Sequence, residues 1–409
     1  MTLLANHARS MGLVAALALL VSPTSATRTA CGDVTLIGVG KIAGNTPDRS
    51  GLAGTYTSAL GETIPANQFG SFGSAITYTG SGNRYYATND RGFGDGTTRS
   101  VDRFHLLDIV VDPAARRVAA VLVETRFLSN ENGESLIGLS SAFTAVPAHT
   151  LRFDPEGLRV GPLGTLFISD EYGPAIDEFT ASGRRLRSLP IPAKFRVSRP
   201  DADEETETRS NRTGRVTNKG MEGLAITPDG RTLVGIMQGP LIQDGGKDGL
   251  NCRILALDVD TGATREYLYP LSAPKRGVSE ILAIDDHRFL VLERDGAGGK
   301  NAFARLFAID LRGATDIGAI GEGPDDGLSA DKPPPGVTPV AKRPFLDLLA
   351  PRFGLATDDF PPKTEGLTWG PDLPDGRRLL LVVSDNDLVA KNASYFYAFA
   401  VDRADLESL

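Results

Sequence analysis

The chain has 409 residues, with 46 Gly, 26 Pro and a formal charge of −8 from 43 basic and 51 acidic side chains. No basic stripe is present to displace counter-ions from phosphates, so nucleic acid is excluded as a partner. Two cysteines and scattered histidines exclude a zinc cluster, and the many turn formers suit short strands better than long helices.

Residues 1–26 predict an export signal. His7 and Arg9 give a weakly basic start, residues 11–21 form a short apolar run, and Ser25-Ala26 ends in small residues suited to cleavage. That run is too short to span a bilayer and no later stretch is long enough. The mature chain is therefore expected to be periplasmic or secreted, without a transmembrane segment, and residues 33–409 to form one domain. In an oxidising compartment Cys31 and Cys252 have two fates. Either they pair and pin the N-terminus to the fold, or they stay as separate thiols.

Residues 33–43 read as an apolar-rich strand and 45–67 as a loop. A hairpin pattern then recurs five times. It begins weakly at Gly73-Ser74-Ala75-Ile76 and Tyr85-Tyr86-Ala87-Thr88-Asn89-Asp90, followed by two more strands over 103–111 and 117–127. Pro155-Glu156-Gly157-Leu158 leads to Phe167-Ile168-Ser169-Asp170-Glu171, with short strands near 176–179 and 184–189. Met221-Glu222-Gly223-Leu224 turns at Pro228-Asp229-Gly230 and continues through 232–236, 252–259 and 263–269. Ser279-Glu280-Ile281-Leu282 leads to Leu290-Val291-Leu292-Glu293-Arg294 and on to 302–311. Thr364-Glu365-Gly366-Leu367 leads to Val382-Val383-Ser384-Asp385 and a strand over 395–401.

Repeats of one four-stranded unit predict an all-β fold, a β-propeller of five blades, with a sixth degenerate blade as the alternative. The last unit lacks a fourth strand, and residues 33–43 would supply it and close the ring. Three connections are long. Of these, 191–219 carries the acidic run Asp201 to Glu207, which reads as a solvated loop. The connection 321–363 is Pro/Gly-rich, with a short helix expected over 345–350.

The hairpin spacing has a chemical consequence. The start of the first strand lies beside the end of the second, so Glu156 comes near Asp170 and Glu171, Glu222 near Gln238, Glu280 near Glu293, and Glu365 near Asp385. Arranged radially, these acids converge on one rim. Asp90, Glu156, Asp170, Glu171, Glu222, Glu280, Glu293, Glu365 and Asp385 form an oxygen-rich set suited to calcium. A bound calcium would polarise a phosphoryl or carbonyl oxygen, with Glu222, Glu156 and Glu365 as catalytic carboxylates. The bland alternative is that each Glu accepts N–H bonds from a neighbouring blade and locks the ring. Arg91, Lys219, Arg294 and Lys363 stand beside these acids and would neutralise a phosphate ester; their alternative role is in ion pairs with the same carboxylates. No Gly-x-Ser-x-Gly elbow is present, and His105, His149 and His287 lie in no catalytic motif. Trp369 falls in an inner strand, where packing is its default role.

Asn218-Lys219-Gly220-Met221-Glu222-Gly223, Asp154-Pro155-Glu156-Gly157-Leu158, Ser169-Asp170-Glu171-Tyr172-Gly173-Pro174 and Asn89-Asp90-Arg91-Gly92 together resemble the bacterial phytase-like domain, also described as esterase-like activity of phytase. The resemblance runs from about residue 33 to the C-terminus and implies a secreted or periplasmic β-propeller. The related β-propeller phytases bind several calcium ions and cleave inositol phosphates, but their Asp-Asp-Pro-Ala stretch is absent here. The expected function is thus an extracytoplasmic, calcium-assisted hydrolase of small-molecule phosphate esters or other esters. A metal-dependent lactonase and a non-catalytic propeller that binds a ligand or protein are the alternatives.

Overall fold

The computed structural model describes residues 34–144 and 150–409, so the expected export signal and Cys31 lie outside the described residues. Strand β1 (Thr35–Ile42) comes first, then a small hairpin of β2 (Thr55–Thr57) and β3 (Thr63–Pro65). The first four-stranded unit is β4 (Ala75–Tyr78), β5 (Arg84–Thr88), β6 (Arg103–Asp112) and β7 (Arg117–Phe127). The second is β8 (Pro155–Val160), β9 (Leu166–Asp170), β10 (Ala175–Phe179) and β11 (Arg185–Ser188). After helix α1 (Glu204–Ser210) comes the third: β12 (Met221–Ile226), β13 (Thr232–Met237), β14 (Asn251–Asp258) and β15 (Thr264–Pro270). The fourth is β16 (Gly277–Ala283), β17 (Arg288–Arg294), β18 (Ala304–Asp310) and β19 (Ala341–Asp347). The chain finishes with β20 (Lys363–Trp369), β21 (Arg378–Asp385), β22 (Ser394–Val401) and a short helix α2 (Arg403–Glu407).

β1 pairs antiparallel with β22, from Thr35 opposite Ala400 to Ile42 opposite Ser394. The N-terminal strand therefore completes the unit begun by β20, β21 and β22. The inner strands touch in a cycle, β4 to β8, β8 to β12, β12 to β16, β16 to β20 and β20 back to β4. The fold is a β-propeller, and closure leaves no inner edge exposed. Because each sheet is sandwiched between neighbours, inner strands are buried on both faces rather than on alternate residues.

The Glu-Gly-Leu phrase has a steric reason. A Cβ on Gly157 would stand 2.5 Å from the Cβ of Leu224, and one on Gly223 would stand 2.8 Å from the Cα of Glu280. Neighbouring inner strands approach too closely at that level for any side chain.

Two expectations about the connections are corrected. The acidic run at 201–207 is exposed over 202–205 but forms a helix rather than a loop: Asp203 caps α1 by accepting from the Thr206 N–H at 2.8 Å, and Glu207 alone is buried, 2.7 Å from Arg215 Nη1. A carboxylate goes inside when a guanidinium awaits it. No helix forms over 345–350, because Phe345 to Asp347 end β19 and a 3₁₀ turn follows at Pro351–Phe353. The strand was hidden by Lys342-Arg343-Pro344, a polar edge-strand composition, and its register shifts where Pro344 meets Phe307. Among the described residues, no helix is long and apolar enough to cross a membrane.

Candidate functional site

The recurrent Glu sits where the inner strands break register. In β12, Met221 opposes Met237 and Gly223 opposes Ile236, so Glu222 is the extra residue of a bulge. In β20, Glu365 is the extra residue between Thr364 and Gly366, and in β8 Glu156 and Gly157 together face Ser169. A bulge re-aims its side chain. In β16 the extra residue is Ser279, and Glu280 takes a ladder place opposite Leu292. One residue of slip separates the fate of Glu280 from the others.

Two groups of carboxylates result. Asp154, Glu156 and Glu171 each offer an oxygen, and these oxygens lie within 4.8 Å of one another; Asp90, Asp385 and Asp387 form a second such group. The Glu156 carboxyl makes no hydrogen bond among the described residues. Burial raises its proton affinity well above the usual carboxylate range, and the charges of Glu222, Asp154, Glu171 and Glu365 raise it further. Glu222 is raised in the same direction by burial and then by Glu171 and Glu365, and its buried Oε2 has no partner. Glu171 accepts from the Gly220 N–H at 3.1 Å.

Asp154 accepts from the Arg91 N–H at 2.8 Å and from Arg91 Nη1 at 3.3 Å. Burial pushes it up to about 6 against the pull of Arg91. Asp90 is likewise pushed up to about 6 by burial, with Lys363 opposing. The Lys363 ammonium lies 3.9 Å from Asp90 and 3.8 Å from Asp385, and it contacts Asp387 directly. The second group therefore already contains a cation.

The remaining expected residues are placed as follows. Glu280 is fully buried, accepts from the Leu224 and Ile281 N–H groups at 2.9 and 3.0 Å, and lies 2.9 Å from Arg159 Nη2. It locks the ring rather than joining either group. Glu293 is also apart, bound to the Tyr269 hydroxyl at 2.6 Å and to Lys342. Asp170 caps its own turn, accepting from the N–H groups of Asp154, Tyr172 and Gly173 at 2.9, 3.1 and 2.8 Å. Arg91 is committed to Asp154 and Asp95. Arg294 bridges Ser279, at 2.7 Å, and Glu365. With Lys219 it lines a cavity of about 230 Å³, where Lys219 donates to Gln238 at 3.0 Å. Cys252 is buried, and Cys31, with which it is expected either to pair or to remain a separate thiol, lies outside the described residues.

Sequence reasoning missed Asp154, Asp387 and Arg159. The first two stand only two residues from Glu156 and Asp385, but a bulge at Glu156 and a turn with positive φ at Asp387 set their directions, which no alternation pattern reveals. Nothing local marks Arg159.

The fold and this geometry define the class: a β-propeller carrying buried carboxylate groups able to hold a metal ion. The chain belongs to the phytase-like family, described as esterase-like activity of phytase, whose profile matches residues 67–388. A relative described as an uncharacterised secreted protein, from Arthroderma benhamiae, is 26% identical over 347 residues and is matched over 67% of each chain. Among solved structures, aldose sugar dehydrogenase from Streptomyces coelicolor in its PQQ-bound form is 13% identical at a TM-score of 0.35, covering 91% of this chain and 98% of that one. The Cps50 (Swd1) β-propeller domain of Myceliophthora thermophila is 12% identical at 0.36, covering 82% and 98%. The calcium-binding protein regucalcin from Agrobacterium tumefaciens is 11% identical at 0.35, covering 81% and 91%.

Proposed function

We propose that the chain is an extracytoplasmic hydrolase of small-molecule esters, phosphate esters foremost, assisted by calcium at Asp154, Glu156 and Glu171. The observation that carries this reading is the convergence of three carboxylates beside Glu222, whose buried Oε2 is unpartnered. Of the three, Arg91 offsets only Asp154, so Glu156 and Glu171 remain buried like charges with no ion-pair partner among the described residues, which is costly, and an all-oxygen donor set suits a hard cation. The Asp90, Asp385 and Asp387 group fits an ion less well, because Lys363 already supplies its positive charge.

Calcium, when bound, would polarise the ester oxygen and offset its charge. The chain's own residues do the rest. Glu222, its proton affinity raised by burial and neighbouring acids and its buried Oε2 unpartnered, receives a proton from attacking water and returns it to the leaving alcohol. Glu365 holds Arg294 at the edge of the site, and Arg294 with Lys219 faces the negative charge of the substrate. Arg91 is a positioning residue that fixes Asp154 through its backbone and its side chain. Export through residues 1–26 belongs to the same proposal and is supported by the apolar run at 11–21 and by the relative described as secreted.

The test is turnover of p-nitrophenyl phosphate and p-nitrophenyl acetate by purified protein, with chelator and with calcium restored. Activity should vanish with chelator, return with calcium, and be lost in Glu222→Gln while the fold persists. Turnover that ignores both chelator and the substitution, or none on any ester, removes the proposal; the latter outcome favours a binding propeller.

A further inference from the structure

The inner strands end at a second mouth of the central channel, at the opposite end of the strands from the acids at their starts. A cavity of about 420 Å³ opens there, lined by Thr77, Tyr78, Ile226, Leu282, Trp369 and Arg378, with Arg159 also in its wall. That volume is in the range of small-molecule sites.

Arg159 reaches across the channel. Its Nη1 donates to the carbonyls of Ile76 and Leu158 at 3.2 and 2.6 Å, and its Nη2 to Ile281 at 2.9 Å. Its Nε is buried and has no partner. A buried guanidinium N–H left unpaired is costly, and an acceptor entering the cavity would relieve it.

The charges at this mouth are unevenly matched. Glu280 balances Arg159. Asp229, in the turn lining the cavity, turns inward on its own loop, accepting from Thr227 Oγ1 and the Arg231 N–H at 2.7 and 3.0 Å. Asp372 pairs with Arg403 at 2.6 Å. Arg378 makes no ion pair among the described residues and lies with its Cζ 3.8 Å from the centre of the Trp369 ring. The ring is fixed by its Nε1, which donates to the Ala283 carbonyl at 2.8 Å. One uncompensated guanidinium thus faces a cavity with aromatic and aliphatic walls.

We propose that this mouth binds a small organic anion with a flat apolar body, of the aromatic carboxylate class. Its carboxylate meets Arg378 and the unpartnered Nε of Arg159, and its body lies against Tyr78, Ile226 and Leu282. The site is separate from the ester chemistry at the carboxylate groups.

Trp369 is the single tryptophan of the chain, so its fluorescence reports on this mouth alone. The experiment titrates the full chain with benzoate, and with benzyl alcohol as the uncharged counterpart, in the presence of chelator. Benzoate should give a saturable change that weakens several-fold as salt rises, and benzyl alcohol should bind at least about tenfold more weakly, as expected for loss of a charge-assisted contact. Arg378→Gln should lose about tenfold in benzoate affinity, whereas Glu222→Gln should leave the titration unchanged, which separates this site from the hydrolase proposal. A non-saturating response, equal affinity for benzyl alcohol, or salt-independent binding overturns the proposal. The salt dependence is read on the unaltered chain and decides the matter even if Arg378→Gln folds poorly.

Discussion

Arg159 on β8 lies 2.9 Å from Glu280 on β16, and the two strands are separated by β12. Both side chains are almost wholly buried, and the pair staples the ring across its channel. Arg159→Met strands a buried carboxylate and leaves the carbonyls of Ile76 and Ile281 without their donor. Denaturant unfolding should show a loss of about 3 kcal/mol or more. Glu280→Gln in that background should restore part of it, giving a non-zero coupling in a double-mutant cycle. Strict additivity would mean the pair does not act as a unit.

Acidity should stabilise the chelated protein. Burial holds Asp90 and Asp154 up to about 6, and Asp170 and Glu280 up to about 7. These carboxyls bind protons more tightly folded than unfolded, so their contribution is complete below the ordinary carboxylate range and is lost as pH rises through about 7. Acids held low, Glu207 by Arg215 and Asp285 by the His287 N–H and Arg288, act in the opposite direction below the ordinary carboxylate range, outside this window. Tm with chelator should fall between pH 5 and pH 8, and the gain from added calcium should be larger at pH 8. A flat profile would contradict the crowding of these carboxylates.

Lys363 acts as a built-in counter-ion for Asp90, Asp385 and Asp387. In Lys363→Met three acids face one another with no cation among them. Tm in chelator should drop, and calcium should raise it by more than in the parent protein, because an ion binding only the folded state stabilises it. If calcium shifts both proteins equally, the lysine does not occupy a cation position.

Helix α1 is tethered through Glu207, which Arg215 contacts at 2.7 Å through Nη1 and 3.2 Å through Nη2 and to which Thr217 Oγ1 donates at 2.8 Å. Arg215 Nε also donates to the Tyr172 carbonyl at 2.9 Å. Removing one partner by Glu207→Ala leaves a fully buried guanidinium uncompensated, at a cost of about 3 kcal/mol. Limited proteolysis should then cut within 199–217 faster than in the parent. Unchanged protection would show the segment to be held by other contacts.

The sequence alone determined the repeat, the strand order in every unit but the fourth, whose last strand it read as a helix, and the return of the N-terminal strand to β22. The first two follow from apolar runs punctuated by Pro-Asp-Gly and Asp-Gly turns, which are local signals, and the third from the fourth strand that the last unit lacks. It also marked Glu156, Glu222 and Glu365 as the recurrent acids. What it could not decide was which copy of the Glu faces which neighbour. A shift of one residue in a bulge, Ser279 in place of the Glu, places Glu280 on Arg159 and two backbone N–H groups, away from the other three. Glu207, hidden in a charged run, and β19, disguised by Lys342-Arg343-Pro344, needed partners more distant in space than in pattern. Burial of a charge depends on what meets it from another blade, and that meeting exists only once the ring has closed.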